Sequence, residues 1–189
     1  RNAALFDRLH EIVDIPIISF PGDAGQVVAN ADAILFLSMV SGRNPELLIG
    51  QQVRAAPVLK EYGVEVIATA YMLIESGTLT STEYMSATRP IPRAKADIAM
   101  AHALAAQYLG MGMVYLETGS GAQQSVDTRM VEAVSSYVDI PVIVGGGIRD
   151  ADTAREKVEA GADFIVIGTV LEEEDSVELI REFADAIHR

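Results

Sequence analysis

Short runs of apolar residues recur along the chain and alternate with segments that have helical periodicity. Most runs are apolar at every position rather than at every second one, which is typical of parallel strands covered on both faces. The pattern predicts an α/β fold, either an open doubly wound sheet or a (β/α) barrel. The predicted strands occupy residues 15–20, 33–38, 64–74, 112–117, 140–146 and 163–169.

The intervening segments carry helix start and stop signals. Asn44 followed by Pro45 predicts the beginning of a helix that Gly63 ends. Asp150 or Asp152 predicts the start of the helix after the fifth run. Apolar stripes predict one helix at each end of the chain, the first through Leu5, Leu9 and Ile12 and the last through Val177, Ile180, Phe183 and Ile187.

Residues 98–116 contain no Lys, Arg, Asp or Glu, and a segment of this length could cross a bilayer. However, His102 and Gln107 interrupt it, and Gly110 and Gly112 break it near the middle. We therefore predict a buried helix followed by a buried strand rather than a transmembrane span.

The last two strand–helix units favour the barrel over the open sheet. One strand ends at Gly145–Gly147 and the next at Gly168–Thr169, and residues 170–176 are compatible with a short extra helix. Barrels build phosphate sites from the loops after their last two strands, where glycines let backbone N–H groups approach an anion. The glycine pattern of a dinucleotide-binding fold is absent. The fold class predicted is therefore a (β/α)8 TIM barrel.

Counting back from these two strands makes the first apolar run strand three. Residues 1–189 then cover about strands 3–8 of a single barrel domain. The amino-terminal strands are expected before residue 1, because whole barrels of this kind have about 250 residues.

Composition excludes several classes of protein. The chain has no cysteine, which excludes a disulfide framework, a thiolate metal site and a cysteine nucleophile. This fits a reducing compartment, and we expect a cytoplasmic protein. The net charge of −13 would repel nucleic acid, so we expect no nucleic-acid partner.

The sequence VYLETGSGA, residues 114–122, carries the candidate site. A buried strand ends on Glu117 and enters a turn containing Gly119, Ser120 and Gly121. A carboxylate at a strand end can accept strong hydrogen bonds from ligand hydroxyls, and the glycines let the backbone close around a small ligand. The structural alternative is that Glu117 caps a loop or pairs with a surface arginine.

Two further features have both a functional and a structural interpretation. Arg89, Arg93 and Lys95 form a basic run that could bind a diphosphate or be a solvated surface. Tyr71 could contact a ligand or be a buried aromatic of the core.

Three segments together resemble the geranylgeranylglyceryl phosphate synthase family, which includes the bacterial heptaprenylglyceryl phosphate synthases. They are SGRNPELLIGQQ, VYLETGSGA and PVIVGGGIRDADTAREKVEAGADFIVIGT, and YLETGSG is the most specific part. The resemblance runs through essentially the whole chain. It implies a transferase that forms the first ether bond of archaeal membrane lipids, joining sn-glycerol 1-phosphate to geranylgeranyl diphosphate with Mg²⁺.

The resemblance also implies the roles of individual residues. The glycerol hydroxyls would be held by Tyr115, Leu116, Glu117, Thr118, Gly119, Ser120 and Gly121, and the phosphate by Gly146, Gly147, Gly168 and Thr169. Glu117 would also be the catalytic base. The Mg²⁺ ligands would be an Asp and a Ser or Thr at the ends of strands one and two, both expected before Arg1, so no metal ligand is named in this chain.

The same resemblance implies a homo-oligomer, dimeric or hexameric, and a peripheral membrane contact for the prenyl substrate. Residues 76–96, which show weak periodicity, are expected to form a long loop that orders over the prenyl diphosphate. Two alternatives stay open at this point. One is another phosphate-binding barrel enzyme of the isomerase type, and the other is a non-catalytic barrel that binds a phosphate ligand.

Overall fold

The computed structural model describes residues 2–173 and 176–188. Six parallel strands follow one another in a single sheet in the order β1 to β6. They are β1 Ile18–Ser19, β2 Ala33–Met39, β3 Glu65–Leu73, β4 Met113–Glu117, β5 Val142–Gly145 and β6 Phe164–Val166. The helices are α1 Asn2–His10, α2 Gln51–Tyr62, α3 Ser81–Ser86, α4 Ala96–Tyr108, α5 Thr128–Ser135, α6 Ala151–Glu159, α7 Thr169–Glu173 and α8 Val177–Ile187, with a 3₁₀ turn at Ala24–Gln26 and a π-helical turn at Glu46–Gly50.

The sheet confirms a parallel α/β architecture of the barrel type. Each strand pairs with the next one along the chain, while β1 and β6 lie at opposite edges and are not paired with each other in the part of the chain that the structure describes. The six strands thus form a half-barrel with helices on its outer side, and a closed eight-stranded barrel is not formed by these residues.

The two edge strands are shorter than the apolar runs that predict them. β1 has only two residues, and β6 ends at Val166 rather than at Thr169. The backbone N–H groups of Leu171 and Glu172 both donate to Gly168 O, so the chain turns into α7 at this point. Gly168 and Thr169 therefore belong to the turn and to the first position of α7, which is the short extra helix. Residues 174 and 175, which belong to the segment 170–176 predicted as a short extra helix, lie outside the described residues.

Two helices were not predicted from the sequence. Asp127 caps α5 by accepting from the Arg129 N–H at 2.9 Å, and the helix buries an apolar face formed by Met130, Val131 and Val134. α3 lies within the predicted loop 76–96, which is therefore not without secondary structure. Its cap is Thr80, whose side chain accepts from Glu83 N at 3.3 Å.

Several predicted helix boundaries are confirmed. α2 ends at Gly63, whose φ of +69° is the left-handed cap conformation. Asp150, not Asp152, caps α6. The segment 98–116 forms α4 and then β4, as predicted, but α4 is buried on only one face, which carries Ala99, Ala103 and Ala106. Within the described residues, no helix has both the length and the apolar composition needed to cross a bilayer.

The apolar stripes predicted at the two chain ends are only partly buried. In α8, Phe183 is 3% exposed and packs into the core, whereas Val177 and Ile180 are 58% and 52% exposed. The first helix ends at His10, so Ile12 lies beyond it. Periodicity predicts that these segments are helical, but burial depends on which neighbour covers each face.

Strand alternation separates the sheet into two environments that decide where the site lies. The outer face packs against the helices through a large apolar cluster that includes Met72, Leu116 and Val144. The inner face carries Tyr71, Tyr115 and Ile143 in a separate cluster. Because successive side chains of a strand point to opposite faces, Glu117 shares the inner face with Tyr115.

Candidate active site

A cavity of about 360 Å³ opens at the carboxyl ends of strands β3 to β6. It brings together residues from six segments of the chain. The residues predicted for the site that line this cavity are Tyr115, Glu117, Ser120, Gly121, Gly146, Gly147, Gly168 and Thr169. Phe20, Tyr71 and Thr82 also line it, which places α3 of the predicted lid segment at its edge.

The three remaining predicted residues do not line the cavity. Leu116 is fully buried on the outer face, so its side chain packs against the helices. Thr118 is 1% exposed, and its backbone N–H donates to Gly145 O at 3.3 Å. Gly119 lies under Thr80, since a Cβ at this position would come within 2.7 Å of the Thr80 hydroxyl. These residues shape the turn on which the cavity is built.

A direct contact joins the glycine-rich turn after β4 to the turn after β6. The Gly121 N–H donates to the Thr169 hydroxyl at 3.3 Å, and the Ser120 and Thr169 hydroxyls lie 3.5 Å apart. The two candidate half-sites, which are about fifty residues apart in the sequence, therefore form one wall.

Glu117 is a buried carboxylate with 6% of its surface exposed. Its Oε1 accepts a hydrogen bond from the Gly119 N–H at 2.6 Å, which holds the side chain in place. Burial raises the pKa of the Glu117 carboxyl above its ordinary value, and hydrogen bonding from the neighbouring Tyr115 hydroxyl and from the Gly119 N–H opposes this shift without cancelling it. A carboxylate with a raised pKa is a better proton acceptor, which is the property required of a general base.

Two buried hydroxyl groups lie next to Glu117. They are Tyr115 Oη and Thr118 Oγ1. Burial and the neighbouring Glu117 charge raise the pKa of the Tyr115 hydroxyl, so it stays protonated and can donate a hydrogen bond. Tyr115 Oη lines the cavity and can bind a polar ligand, whereas Thr118 is not among the residues that line it.

The glycines after β5 are required by close packing around Glu117. A Cβ at Gly145 would lie 2.8 Å from Glu117 Oε2, and one at Gly146 would overlap with Oε1. Gly147 has a φ of +65°, and a Cβ there would lie 2.7 Å from the backbone N of Ser125. Gly168, in contrast, faces open space within the cavity wall.

The basic run of the sequence lies away from both cavities described here. Arg89 and Lys95 are exposed, and neither lines a cavity. Arg93 is engaged in the packing of a loop, since its guanidinium donates to Ser125 O and its backbone N–H donates to Glu75 Oε2 at 3.1 Å. The cation at the cavity is Arg149, which was not predicted from the sequence. Its position two residues after Gly147 was the available signal.

A second cavity of about 320 Å³ adjoins the first and was not predicted. Phe20, Tyr71 and Thr82 line both cavities. The Tyr71 and Tyr115 rings meet edge to face at 5.3 Å between centroids, so Tyr71 is both a core aromatic and a wall of the two cavities. The rest of the second cavity is largely apolar and includes Val27, Ile34, Leu35, Phe36, Leu37, Met39, Leu47 and Ala55.

Within residues 2–173 and 176–188, no group of three His, Asp or Glu side chains converges in a way that could hold a metal ion. Glu117 is the only acidic residue among the described residues that line the first cavity.

The model of the PcrB family matches residues 4–187. The geranylgeranylglyceryl phosphate synthase of Chitinophaga pinensis is 52% identical over 177 residues, which is 94% of this chain and 69% of that protein. The same enzyme of Thermococcus kodakarensis is 46% identical over 181 residues, 96% of this chain and 71% of that protein.

A solved structure matches the whole fold. The crystal structure of (S)-3-O-geranylgeranylglyceryl phosphate synthase from Thermoplasma acidophilum, in complex with its substrate sn-glycerol-1-phosphate, superposes with a TM-score of 0.90 at 37% identity, covering 96% of this chain and 73% of that one. These matches confirm the resemblance found in the sequence. The chain belongs to the PcrB family, and the relatives it matches are geranylgeranylglyceryl phosphate synthases.

Proposed function

We propose that this protein is a prenyltransferase that forms the ether bond between sn-glycerol 1-phosphate and geranylgeranyl diphosphate. The observation that carries the proposal is the buried carboxylate of Glu117, which lies beside the Tyr115 hydroxyl in a cavity lined by two glycine-rich turns. A small polyol phosphate offers hydroxyl groups to Glu117 and Tyr115 and a phosphate group to the glycine-rich turns. The shared family and the relatives' names support the same substrate pair.

The glycerol part of the substrate would bind at Glu117. The carboxylate accepts hydrogen bonds from glycerol hydroxyls, while Tyr115 donates one. The phosphate would lie toward Gly146, Gly147 and Gly168, where backbone N–H groups can approach it without obstruction by side chains. This arrangement fixes the reacting hydroxyl close to the base.

The bond-forming step follows from that placement. The glycerol hydroxyl oxygen attacks the allylic carbon of the prenyl substrate, and its proton moves to Glu117. The carbon–oxygen bond to the diphosphate breaks, and inorganic diphosphate leaves with the electron pair. The products are the ether, inorganic diphosphate and a protonated Glu117 that returns its proton to solvent.

The apolar second cavity suits the prenyl chain. It meets the first cavity at Phe20, Tyr71 and Thr82, so an allylic carbon at this border lies next to the glycerol site. Burial of an isoprenoid tail against such a wall contributes roughly 25 cal/mol per Å² of apolar surface. Because the two cavities adjoin, a polar and an apolar substrate can react without either crossing the other's site.

Mg²⁺ is proposed from the family resemblance, since it would neutralise the leaving diphosphate. The described residues do not themselves supply a fitting set of ligands, as no three acidic or His side chains converge. No step above is therefore assigned to the ion. Loss of activity with a chelator, restored by added Mg²⁺, is the expected result.

A homo-oligomer, a peripheral contact with membranes and a cytoplasmic location are proposed from the resemblance as well. Ile49 and Val53 are four residues apart and 59% and 62% exposed, which provides an apolar face for a second copy. Light scattering of the purified protein would measure the assembly. Flotation with vesicles would measure membrane contact, and fractionation of cells would measure location.

The activity itself is tested by incubating the intact protein with both substrates and Mg²⁺ and detecting the ether product by mass spectrometry. Formation of the ether and of inorganic diphosphate supports the proposal. Binding of glycerol phosphate without turnover would favour the non-catalytic alternative. An isomerase would need a paired acid and base, and Glu117 has no acidic partner among the described residues that line the first cavity.

A further inference from the structure

Both proposed substrates are anions, yet the chain carries a net charge of −13. A field of this sign repels anions at a distance and lowers their local concentration at a cleft. The candidate site must therefore offset the field locally. Backbone N–H groups supply only partial charges, whereas a phosphate monoester carries about −1.5 to −2 at neutral pH.

Arg149 is the only basic side chain among the described residues that line either cavity. It follows Gly145–Gly147 and Ile148 in the loop after β5. Its guanidinium reaches across the cavity edge to α7, which begins at Thr169. Arg149 therefore connects the loop that carries Gly146 and Gly147 to the helix that follows Gly168.

The present partner of Arg149 is a weak one. Its Nη1 lies 3.5 Å from Glu173 Oε2, at the outer limit of a hydrogen bond, and the two side chains are 48% and 58% exposed. Exposed ion pairs of this kind contribute little to stability and are readily exchanged. A phosphate group offers Arg a bidentate, charge-assisted contact, which is stronger than a single long one.

We infer that Arg149 exchanges Glu173 for the phosphate group of the glycerol phosphate substrate and thereby serves as a further substrate-binding residue. The inference rests on the proposed function. It commits to the phosphate monoester rather than to the prenyl diphosphate, because Arg149 lines the cavity of Gly146, Gly147 and Gly168 and does not line the apolar one.

The competing explanation is purely structural. In that case the Arg149–Glu173 ion pair holds α7 against the loop after β5, and substituting either residue would raise KM by a similar factor. The two explanations differ in what they predict for Glu173. A structural ion pair is lost when either residue is substituted. Replacement of Glu173 by the phosphate group becomes easier when the Glu173 charge is removed.

The test compares Arg149→Met with a matched control, Arg155→Met. Arg155 is 49% exposed, pairs with Asp152 on α6 and lines neither cavity. We expect Arg149→Met to raise KM for glycerol phosphate about tenfold, within the range for a charge-assisted hydrogen bond reduced by exposure. KM for the prenyl diphosphate and kcat should stay at wild-type values, as should all constants of Arg155→Met. Arg149→Lys should give an intermediate KM, because lysine keeps the positive charge but cannot donate the two parallel hydrogen bonds of a guanidinium group.

Salt and the Glu173 variant provide independent readouts. The difference between wild type and Arg149→Met should shrink between about 0.05 M and about 0.5 M NaCl, because the contact is partly exposed and becomes screened. Glu173→Gln should have a KM for glycerol phosphate equal to or below that of the wild type. If Glu173→Gln raised KM as much as Arg149→Met does, the inference would be overturned and a purely structural ion pair would be favoured.

Other outcomes that overturn the inference are an Arg149→Met enzyme indistinguishable from Arg155→Met, and an effect confined to the prenyl diphosphate. Failure of the proposed function looks different, since the wild type itself would then show neither ether formation nor binding of glycerol phosphate by calorimetry. Circular dichroism and thermal unfolding of each variant identify any that do not fold. For such a variant, Arg149→Gln replaces Arg149→Met with the same expected result.

Discussion

Glu117→Gln removes the buried charge of the site and keeps its shape. The Gln side chain oxygen can still accept the Gly119 N–H that now lies 2.6 Å from Glu117 Oε1. The space left by Gly145 and Gly146 is unchanged. The substitution therefore isolates the negative charge from packing and from the local hydrogen bond.

The expected loss is in glycerol phosphate. A hydrogen bond to a charged group contributes about 1.5–3 kcal/mol, so affinity for this substrate should fall by about ten- to a hundredfold. If Glu117 is also the base, kcat should fall by a further factor of about a hundred or more. Affinity for the prenyl diphosphate should change little, because the apolar cavity does not include Glu117.

The same variant should be more stable than the wild type at neutral pH. Burial raises the pKa of Glu117 in the folded state above its unfolded value. The free energy of unfolding of the wild type therefore falls as pH rises from the unfolded to the folded pKa of this group. The free energy of unfolding of the variant lacks this decrease. The difference in stability between variant and wild type should therefore vanish below about pH 4, where the wild-type carboxyl is protonated in both the folded and the unfolded state.

Three measurements together test this reasoning. Steady-state kinetics with each substrate varied in turn separates binding from turnover. The pH profile of kcat/KM in the wild type should have an acid limb above the ordinary Glu pKa, and the variant should lack it. Thermal unfolding at neutral and acidic pH measures the stability difference. A folded Glu117→Gln enzyme with wild-type constants for both substrates would refute the assignment.

The remaining predictions concern the cavity wall, the core and the lid. Gly168→Asp should abolish binding of glycerol phosphate in calorimetry without lowering Tm, because Gly168 faces open space, whereas Gly147→Asp should lower Tm through its contact with the loop backbone at Ser125. A Gly168→Asp protein that binds normally would contradict the phosphate position. Leu116→Ala should cost about 2–5 kcal/mol of stability in denaturant unfolding and leave KM unchanged, since its side chain lies on the outer face. Hydrogen exchange in residues 76–96 should slow when prenyl diphosphate is added; equally slow exchange without it would argue against a lid.

The strands and several helix boundaries were predictable because they depend on local sequence. Continuous apolar runs mark β2 to β5, and Gly63 and Asp150 sit where backbone conformation and capping require them. Prediction was poorest at the edge strands β1 and β6, because the length of an edge strand depends on how far its single neighbour pairs with it. It also missed α3, whose short polar sequence is held in place partly by Thr80 over Gly119.

The candidate site shows the same division. The alternation of residues along β4 determines that Tyr115 and Glu117 share a face, and the glycine-rich turn after them is visible in the sequence. The family resemblance is likewise contained in the sequence alone. The sequence did not indicate which cation lies at the cavity. It pointed to the basic run that contains Arg93, whereas the structure places Arg149 there.

What the amino-acid sequence determined by itself was the class of fold, the strand that carries the carboxylate and the family to which the chain belongs. Only the tertiary structure brought Gly121 against Thr169, placed Arg149 beside Glu173 and joined the polar cavity to an apolar one. The physical reason is that periodicity, capping and turn chemistry act over a few residues. A cavity instead depends on the packing of elements that are far apart in the chain, and this is set by the curvature of the whole sheet.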